Sequence, residues 1–507
     1  MSATGMNRRE FIKKTAATGL VLAGTATLAG CGLGSGGESI KWSEEADIVI
    51  IGSGFAGLAA ALEATEAGAK VKIIEKMPTP GGNSIINGGD MAAAGSKMQA
   101  EMGIEDSPEL MLEDMLKAGL YLNHPEKVKL VAERSVEALE WVMNYVGTKF
   151  VTVNYHGGHS VPRTHQAETG SGGDIVRPML DKLKEKGIEV ETNRKMVRLI
   201  QNEEGRVIGV EVLDKYKFGQ EDSGTPVFIK AKKAVILAAG GFSQDLQMRM
   251  IHDPKLTDKL DSTNHLGATG EVLRAAMKIG AMDVQLDWIQ LGPWASPDEK
   301  GFGYVPHFCE RLVGYAPMIN PKTGKRFINE TGNRKVRADA ILEIGEPVIH
   351  VADEYAARKQ VIPSSFEGGL RNGSIKQFDT LEQVAEHYNI PLQPFLEEIQ
   401  RWNSIVEKGQ DDDFGCMIFP DAKPMTTGPF YAARLWPKVH HCMGGLVTNT
   451  QCQVINQDFE PIKGLYAAGE ITGGVHGAVR LGGCAVTDCI VNGRIAGQEA
   501  AKEEAWS

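Results

Sequence analysis

Cysteine is scarce: seven in a chain of 507 residues are too few for a disulfide scaffold. Proline, at 22, is too rare for a collagen-like or proline-rich chain. Basic charge falls short of acidic, with 54 Lys and Arg against 65 Asp and Glu. The net charge of −11 argues against a nucleic-acid binder, which needs a basic face to displace phosphate counterions. After residue 31 no run is long and apolar enough to span a bilayer. What is present, 42% apolar and 23% charged residues, is ordinary for a globular protein with a sizeable core. The length suggests roughly three folding units. Glycine is the surplus: its 59 residues sit in short clusters, which mark places where backbone approaches a neighbour closely.

The run Asn7-Arg8-Arg9-Glu10-Phe11-Ile12-Lys13-Lys14 has the shape of a twin-arginine export signal. A small-residue apolar stretch follows and closes with Leu28-Ala29-Gly30-Cys31, which resembles a lipoprotein cleavage box with Cys31 as the acylated residue. A transmembrane anchor is the alternative, but the stretch is too short for one. Residues 1–31 are therefore expected to be an export signal and 32–44 a Gly/Ser/Glu tether. The expected location is extracytoplasmic, in the periplasm or on the outer face of the cell membrane, with a lipid at Cys31. The twin-arginine route carries folded chains, which suits a protein that loads a cofactor in the cytoplasm.

Ala46-Asp47-Ile48-Val49-Ile50-Ile51 reads as a buried parallel strand. It enters Gly52-Ser53-Gly54-Phe55-Ala56-Gly57, residues 58–67 have helix-forming composition, and a second apolar run, Lys70-Val71-Lys72-Ile73-Ile74, ends at Glu75. Strand, glycine turn, helix, strand and acid complete a dinucleotide-binding fingerprint. Gly52 permits the tight turn, Gly54 lets backbone reach a pyrophosphate, and Gly57 lets helix and strand pack. The helix N-terminus faces the phosphates, and Glu75 can accept from a ribose hydroxyl. The fingerprint does not separate NAD from FAD.

Further segments do so by resemblance. Gly81-Gly82-Asn83-Ser84 with Asn87-Gly88-Gly89 resembles the second glycine cluster of the fumarate reductase flavoproteins. Gly464-Leu465-Tyr466-Ala467-Ala468-Gly469-Glu470 resembles their FAD-binding strand and turn, and Ala238-Ala239-Gly240-Gly241-Phe242 their return strand and loop. His440-His441-Cys442-Met443-Gly444-Gly445 resembles their His-His-Thr-Met-Gly-Gly. Thr472-Gly473-Gly474-Val475-His476-Gly477-Ala478-Val479-Arg480-Leu481-Gly482-Gly483 resembles their most specific signature. Gly324-Lys325-Arg326-Phe327-Ile328-Asn329-Glu330 with Arg334 resembles the segment that carries the catalytic arginine. On these matches the chain is identified as a member of the soluble fumarate reductase and urocanate reductase group, over nearly all of residues 45–505.

The resemblance implies FAD, and an α/β fold with a Rossmann-like FAD-binding domain over 45–286 and 442–507. An α+β capping domain over 287–441 would be inserted in it. Beside Gly54, Gly57, Glu75, Asn83, Ser84, Gly88 and Gly89, the implied cofactor contacts are Ala56, Lys76, Met196, Ala239, Gly240, Glu271, His441, Glu470, Ala485 and Val486. No metal is expected. Residues 101–146 read as helical additions with no visible chemistry. The helix after Gly482-Gly483, apolar at Ala485, Val486, Ile490 and Ile495, would aim its positive end at the flavin ring and favour the anionic reduced form.

Reducing a double bond conjugated to a carboxylate needs hydride at the β carbon and a proton at the α carbon. Paired donors such as Arg480 and His440 would polarise the carboxylate while negative charge builds on it. The resemblance places His441 against the flavin, makes the flavin the hydride source, and implies Arg334 as the proton donor. An arginine is a poor acid, with a pKa above about 12, but a developing carbanion is itself strongly basic. Glu310 resembles the relay carboxylate that would refill Arg334.

One departure bears on the substrate. Family members carry histidine before proline in an Ile-Gln-x-His-Pro run, where it holds a second carboxylate; here the run is Ile289-Gln290-Leu291-Gly292-Pro293. The partnering threonine corresponds to Cys309. An unpaired buried carboxylate costs several kcal/mol, so a mono-acid such as an aryl- or alkyl-acrylate is expected rather than fumarate. Trp288, Trp294, Phe302, Tyr304 and Phe308 would line an aromatic slot beside Gly292, or serve as plain core.

No Cys-x-x-Cys-His occurs, so no c-type haem is expected, and electrons would come from a separate membrane or extracytoplasmic donor, a cytochrome or flavin carrier. Two rival readings remain. One is a ketosteroid-type dehydrogenase of the same superfamily, which a tyrosine base would favour. The other is a flavin electron carrier, which would need none of Arg334, His440 and Arg480.

Overall fold

The structure, a computed structural model, describes residues 40–506. The twin-arginine run, Cys31 and most of the expected tether lie outside the described residues. The first strand begins slightly before the expected boundary. The Ser43 N–H donates to the Phe228 carbonyl, and the first strand, Glu44–Ile51, includes a residue expected in the tether. Glu44 is held there by Arg194 at 2.6 Å.

Glu44–Ile51 lies at the centre of the main sheet, parallel to Val71–Ile74 on one side and Thr225–Leu237 on the other. Val190–Glu191 extends the sheet beyond the first neighbour and Pro461–Ala467 beyond the second, both in parallel. Ile48, Val49 and Ile50 are fully buried, as the continuous β-branched run requires of a strand covered on both faces. The expected helix runs Phe55–Glu66 and packs on the C-terminal helix Cys484–Lys502. Side chains at Gly493 or Gly497 would collide with the carbonyls of Ala56 and Ala60, so these two helices touch backbone to backbone. Among the described residues, no helix is long and apolar enough to cross a membrane.

The intervening segment folds on a separate five-stranded antiparallel sheet, in the order Lys325–Arg326, Met318–Asn320, Val348–Asp353, Phe430–Leu435 and Ile375–Phe378. All five strands fall within the expected insertion. A two-stranded ribbon, Ile289–Gly292 against Lys438–Cys442, lies where the chain enters and leaves it. The ribbon contains a bulge: Gln290 pairs with His441 and Leu291 with Val439, leaving His440 as the extra residue.

Candidate active site

Two clefts adjoin: the first lies over the main sheet, and the second lies between it and the inserted segment. The first, about 930 Å³, opens over the strand ends at the glycine turn. A side chain at Gly52, whose φ is +106°, would strike the Ala238 carbonyl, and one at Gly54 would lie 3.0 Å from the Ser84 hydroxyl. The helix Phe55–Glu66 starts at Gly54, which has no side chain to cap it, and its first N–H, that of Phe55, donates to the Ser84 hydroxyl at 2.9 Å. A bare glycine backbone at a helix N-terminus suits a pyrophosphate. Both Glu75 oxygens face inward, one accepting from the Ser53 hydroxyl at 2.6 Å and the other from the Met77 N–H at 2.9 Å. The cleft therefore fits the adenine dinucleotide part of FAD.

Gly54, Ala56, Glu75, Lys76, Asn83, Ser84, Met196, Ala239, Gly240, Glu271 and Glu470 all line this first cleft. Lys76 and Glu271 form an ion pair with each other there. Gly88, His441, Ala485 and Val486 line the second cleft instead. Two expected contacts need correction, because Gly57 and Gly89 line neither. Gly57 presses against the Gly52 carbonyl, which is the helix-to-strand packing role, and Gly89 backs onto Ser171.

The second cleft, about 980 Å³, shares Phe55, Asn83, Ser84, Glu470 and Cys489 with the first, so a ring seated at that junction would face both. Its walls bring together Arg334, Glu310, His440, His441 and Arg480 from four distant segments. Consecutive strand residues normally point to opposite faces. The bulge at His440 lets both histidines reach this cleft.

Arg334 opens the helix Arg334–Ile344, whose cap is the Asn333 side chain accepting from the Val336 N–H. The loop before it is anchored by Arg326, fully buried between Glu330 and Asp411 and stacked on Trp402. Arg337, one turn after Arg334, holds Glu310 at 2.6 Å, while Arg334 lies 3.9 Å from the other Glu310 oxygen. Burial pushes the Glu310 carboxyl up, but the two guanidiniums outweigh it and keep the group below its ordinary value. Arg480 has no ion-pair partner among the described residues. Burial, reinforced by the Arg334 charge, pushes it down to about 9, so it stays charged at neutral pH. Burial likewise lowers Arg334. His440 and His441 are held far below the ordinary imidazole value, first by burial and then by the Arg480 charge, so both are neutral. The Thr263 hydroxyl meets His440 Nδ1 at 2.7 Å and leaves Nε2 for the cleft.

Several buried polar atoms here lack partners: Arg334 Nη1, Arg480 Nε, Glu310 Oε2 and His441 Nε2. Unpaired buried donors carry a desolvation cost that a bound ligand would relieve. Glu470 sits at the junction, 3.5 Å from His441 Nδ1 and accepting from the Cys442 N–H at 3.0 Å. Burial raises it to about 7.

Gly292 also needs correction. It lines neither cleft, and the space beside it is filled by the Trp294 indole, three of whose carbons lie 2.9–3.1 Å from where a side chain would begin. Of the five aromatics expected around it, only Trp294 and Phe302 line the cleft; Phe308 is core, Trp288 packs half-buried against another core cluster, and Tyr304 is exposed, while Cys309 is core as well.

Other residues at the site were not expected from the sequence. Arg337 was detectable, since i and i+3 share a helix face. Asp90, His156 and Arg311, joined at 2.8 and 3.0 Å through Arg311, come from three separate segments and left no local signal. The helices within 101–146 turn out to brace the signature loop. Buried Lys127 bonds Thr448 Oγ1 at 2.8 Å and the Gly473 carbonyl at 2.7 Å, and Asn123 bonds the Val475 carbonyl at 2.8 Å.

A dinucleotide cleft joined to a pocket lined by Arg334 and Arg480 fits the class its relatives define, an FAD-dependent oxidoreductase acting on CH–CH bonds. A family model described as an FAD binding domain matches residues 47–486; the chain belongs to that family, within its fumarate reductase and urocanate reductase type of flavoprotein. It is similar to the acrylate reductase flavoprotein subunit of Shewanella woodyi, 39% identical over 97% of each chain. It also resembles the open conformation of a flavocytochrome c3 fumarate reductase, at 33% identity and a TM-score of 0.72, covering 98% of this chain and 81% of that one. A 3-ketosteroid Δ1-dehydrogenase from Sterolibacterium denitrificans superposes with a TM-score of 0.71 over 90% of this chain and all of its own, at 21% identity, a likeness of fold alone.

Proposed function

We propose that the protein reduces the C=C bond of an α,β-unsaturated mono-acid, an alkyl- or aryl-acrylate, in the second cleft. The charge balance carries the reading. Asp90 is paired by Arg311 and Glu310 by Arg337, which leaves Arg334 and Arg480 as the cations without full counter-ions. One carboxylate plus the negative charge brought by a hydride matches these two; a dicarboxylate would exceed them.

Bound reduced FAD supplies the hydride to the β carbon. Arg480 and the neutral His440, with Nε2–H donating when the Thr263 hydroxyl donates to Nδ1, hold the substrate carboxylate and stabilise charge as it grows there. Arg334, which lines the cleft, gives its proton to the α carbon. Burial, which lowers its pKa, makes it a better acid than a solvated guanidinium. Glu310, between Arg334 and Arg337, refills it. Gln290 fixes the Arg480 backbone by donating to its carbonyl at 2.9 Å.

Among the described residues no tyrosine lines this cleft, which disfavours a ketosteroid-type dehydrogenase with a tyrosine base. The test is a steady-state assay of FAD-loaded protein with a reduced viologen dye and a panel of acrylate, cinnamate and fumarate. The reading expects the mono-acids to be turned over and fumarate to be poor; brisk fumarate reduction alone rejects it.

The export reading rests on Arg8-Arg9 and Cys31. It places the enzyme outside the cytoplasm, supplied with electrons by a separate donor. A Cys31→Ser variant should leave the membrane fraction; an unchanged distribution rejects the lipid anchor.

A further inference from the structure

We propose that Trp294 is the residue that confines the second cleft to acids with a single carboxylate. The inference rests on the unsaturated-acid reading above and adds to it a specific wall. The indole lies on Gly292, where any side chain would begin 2.9–3.1 Å from its six-membered ring, so glycine is the residue that leaves the ring its place. Only 2% of Trp294 is exposed, and it packs against Phe302 with ring centroids 5.4 Å apart.

The same ring touches both ends of the acid-binding machinery. The His440 imidazole stands nearly perpendicular to it, with centroids 4.6 Å apart, and the Arg334 guanidinium carbon lies 5.3 Å from its centroid. The face of an indole is the negative pole of its quadrupole. It attracts the Arg334 cation and opposes a carboxylate approaching from the same side. The ring carries no charge to pair with a second anion, and its one hydrogen-bond donor, Nε1, is buried. Trp294 therefore holds Arg334 and His440 in register for one carboxylate and backs the cleft wall with an apolar ring.

The test compares acrylate and fumarate as kcat/KM on FAD-loaded wild-type, Trp294→Phe and Trp294→Asn proteins. A second readout needs no turnover: the change in bound-flavin absorbance on titrating propanoate and succinate into the oxidised proteins. Trp294→Phe, which keeps a π face, should stay near the wild-type preference. Trp294→Asn should raise the fumarate-to-acrylate ratio by about tenfold or more and tighten succinate relative to propanoate. Should Trp294→Asn fail to hold FAD, Gly292→Ala decides, because it displaces the indole and should shift both ratios the same way. A parallel loss on both acids, or unchanged ratios, overturns the inference while leaving the mono-acid reading intact. A wild-type enzyme that turns over fumarate as well as acrylate overturns both.

Discussion

His440 and His441 are neighbours in one strand, yet both line the substrate cleft, because His440 is the bulged residue opposite the Gln290–Leu291 step. The bulge gives the two rings separate tasks. His440 is steadied by Thr263 and Trp294, and His441 lies beside Glu470 and the His476 ring. Thr263→Val removes the bond that fixes His440. It should raise the KM for the acid about three- to tenfold, the worth of one neutral hydrogen bond, with FAD content unchanged. Initial rates over a range of acid concentrations check this.

Arg334→Gln should lower kcat by about 10²–10⁴-fold, the range for loss of a general acid, while the purified protein stays yellow. Undiminished turnover would remove Arg334 from the mechanism.

Glu310 stands between two buried guanidiniums, so its loss should be felt in stability as well as rate. Glu310→Gln leaves Arg334 and Arg337 facing each other without a countercharge, and should cost about 3–5 kcal/mol in denaturant unfolding. Arg337→Met should also destabilise the protein, because it leaves Glu310 with only the more distant Arg334.

Glu470 predicts a pH dependence of known sign. Its carboxyl titrates near 7 in the folded protein against an ordinary 4.5, so the native state binds more protons between those values. Its contribution is therefore fully present below about pH 4.5 and is lost as pH rises through 7. His441, Arg480 and Asp488 are the charged or titratable groups that bear on it most directly. Relative to Glu470→Gln, the wild-type should lose roughly 3 kcal/mol across that window. Denaturant unfolding at fixed excess FAD from pH 4.5 to 8 checks this, and parallel curves would contradict it.

Gly57→Ala should abolish FAD retention, since the added carbon would overlap the Gly52 carbonyl and pry the helix from the phosphate turn. Absorbance at the flavin band after desalting checks it.

The nucleotide cleft was legible because its determinants are local. Strand, turn, helix and acid follow one another within about thirty residues, and each glycine has a steric reason that sequence spacing conveys. The catalytic groups were reachable only through resemblance, since residues 310, 334, 440 and 480 meet by tertiary packing. What stayed hidden were relationships with no sequence signature. The deletion of a side chain at Gly292 reads in sequence as a gap, but packing fills it with an indole two residues later. The bulge at His440 depends on register with a partner strand some 150 residues away, which no local pattern specifies. The segment 101–146 looked inert because its task, bracing the backbone of residues 473–475, is done by the Asn123 and Lys127 side chains on carbonyls some 350 residues away, which no local pattern specifies.

The most direct test of the central claim is a single turnover. FAD-loaded protein is reduced anaerobically, freed of excess reductant and mixed with acrylate in D₂O while the flavin absorbance is followed. The account predicts that the oxidised band returns at a rate that saturates with acid, giving propanoate that carries deuterium at the α carbon, and also at the β carbon once the exchangeable flavin N5 hydrogen has equilibrated with D₂O. Flavin that stays reduced in the presence of acrylate, cinnamate and other unsaturated mono-acids would contradict it.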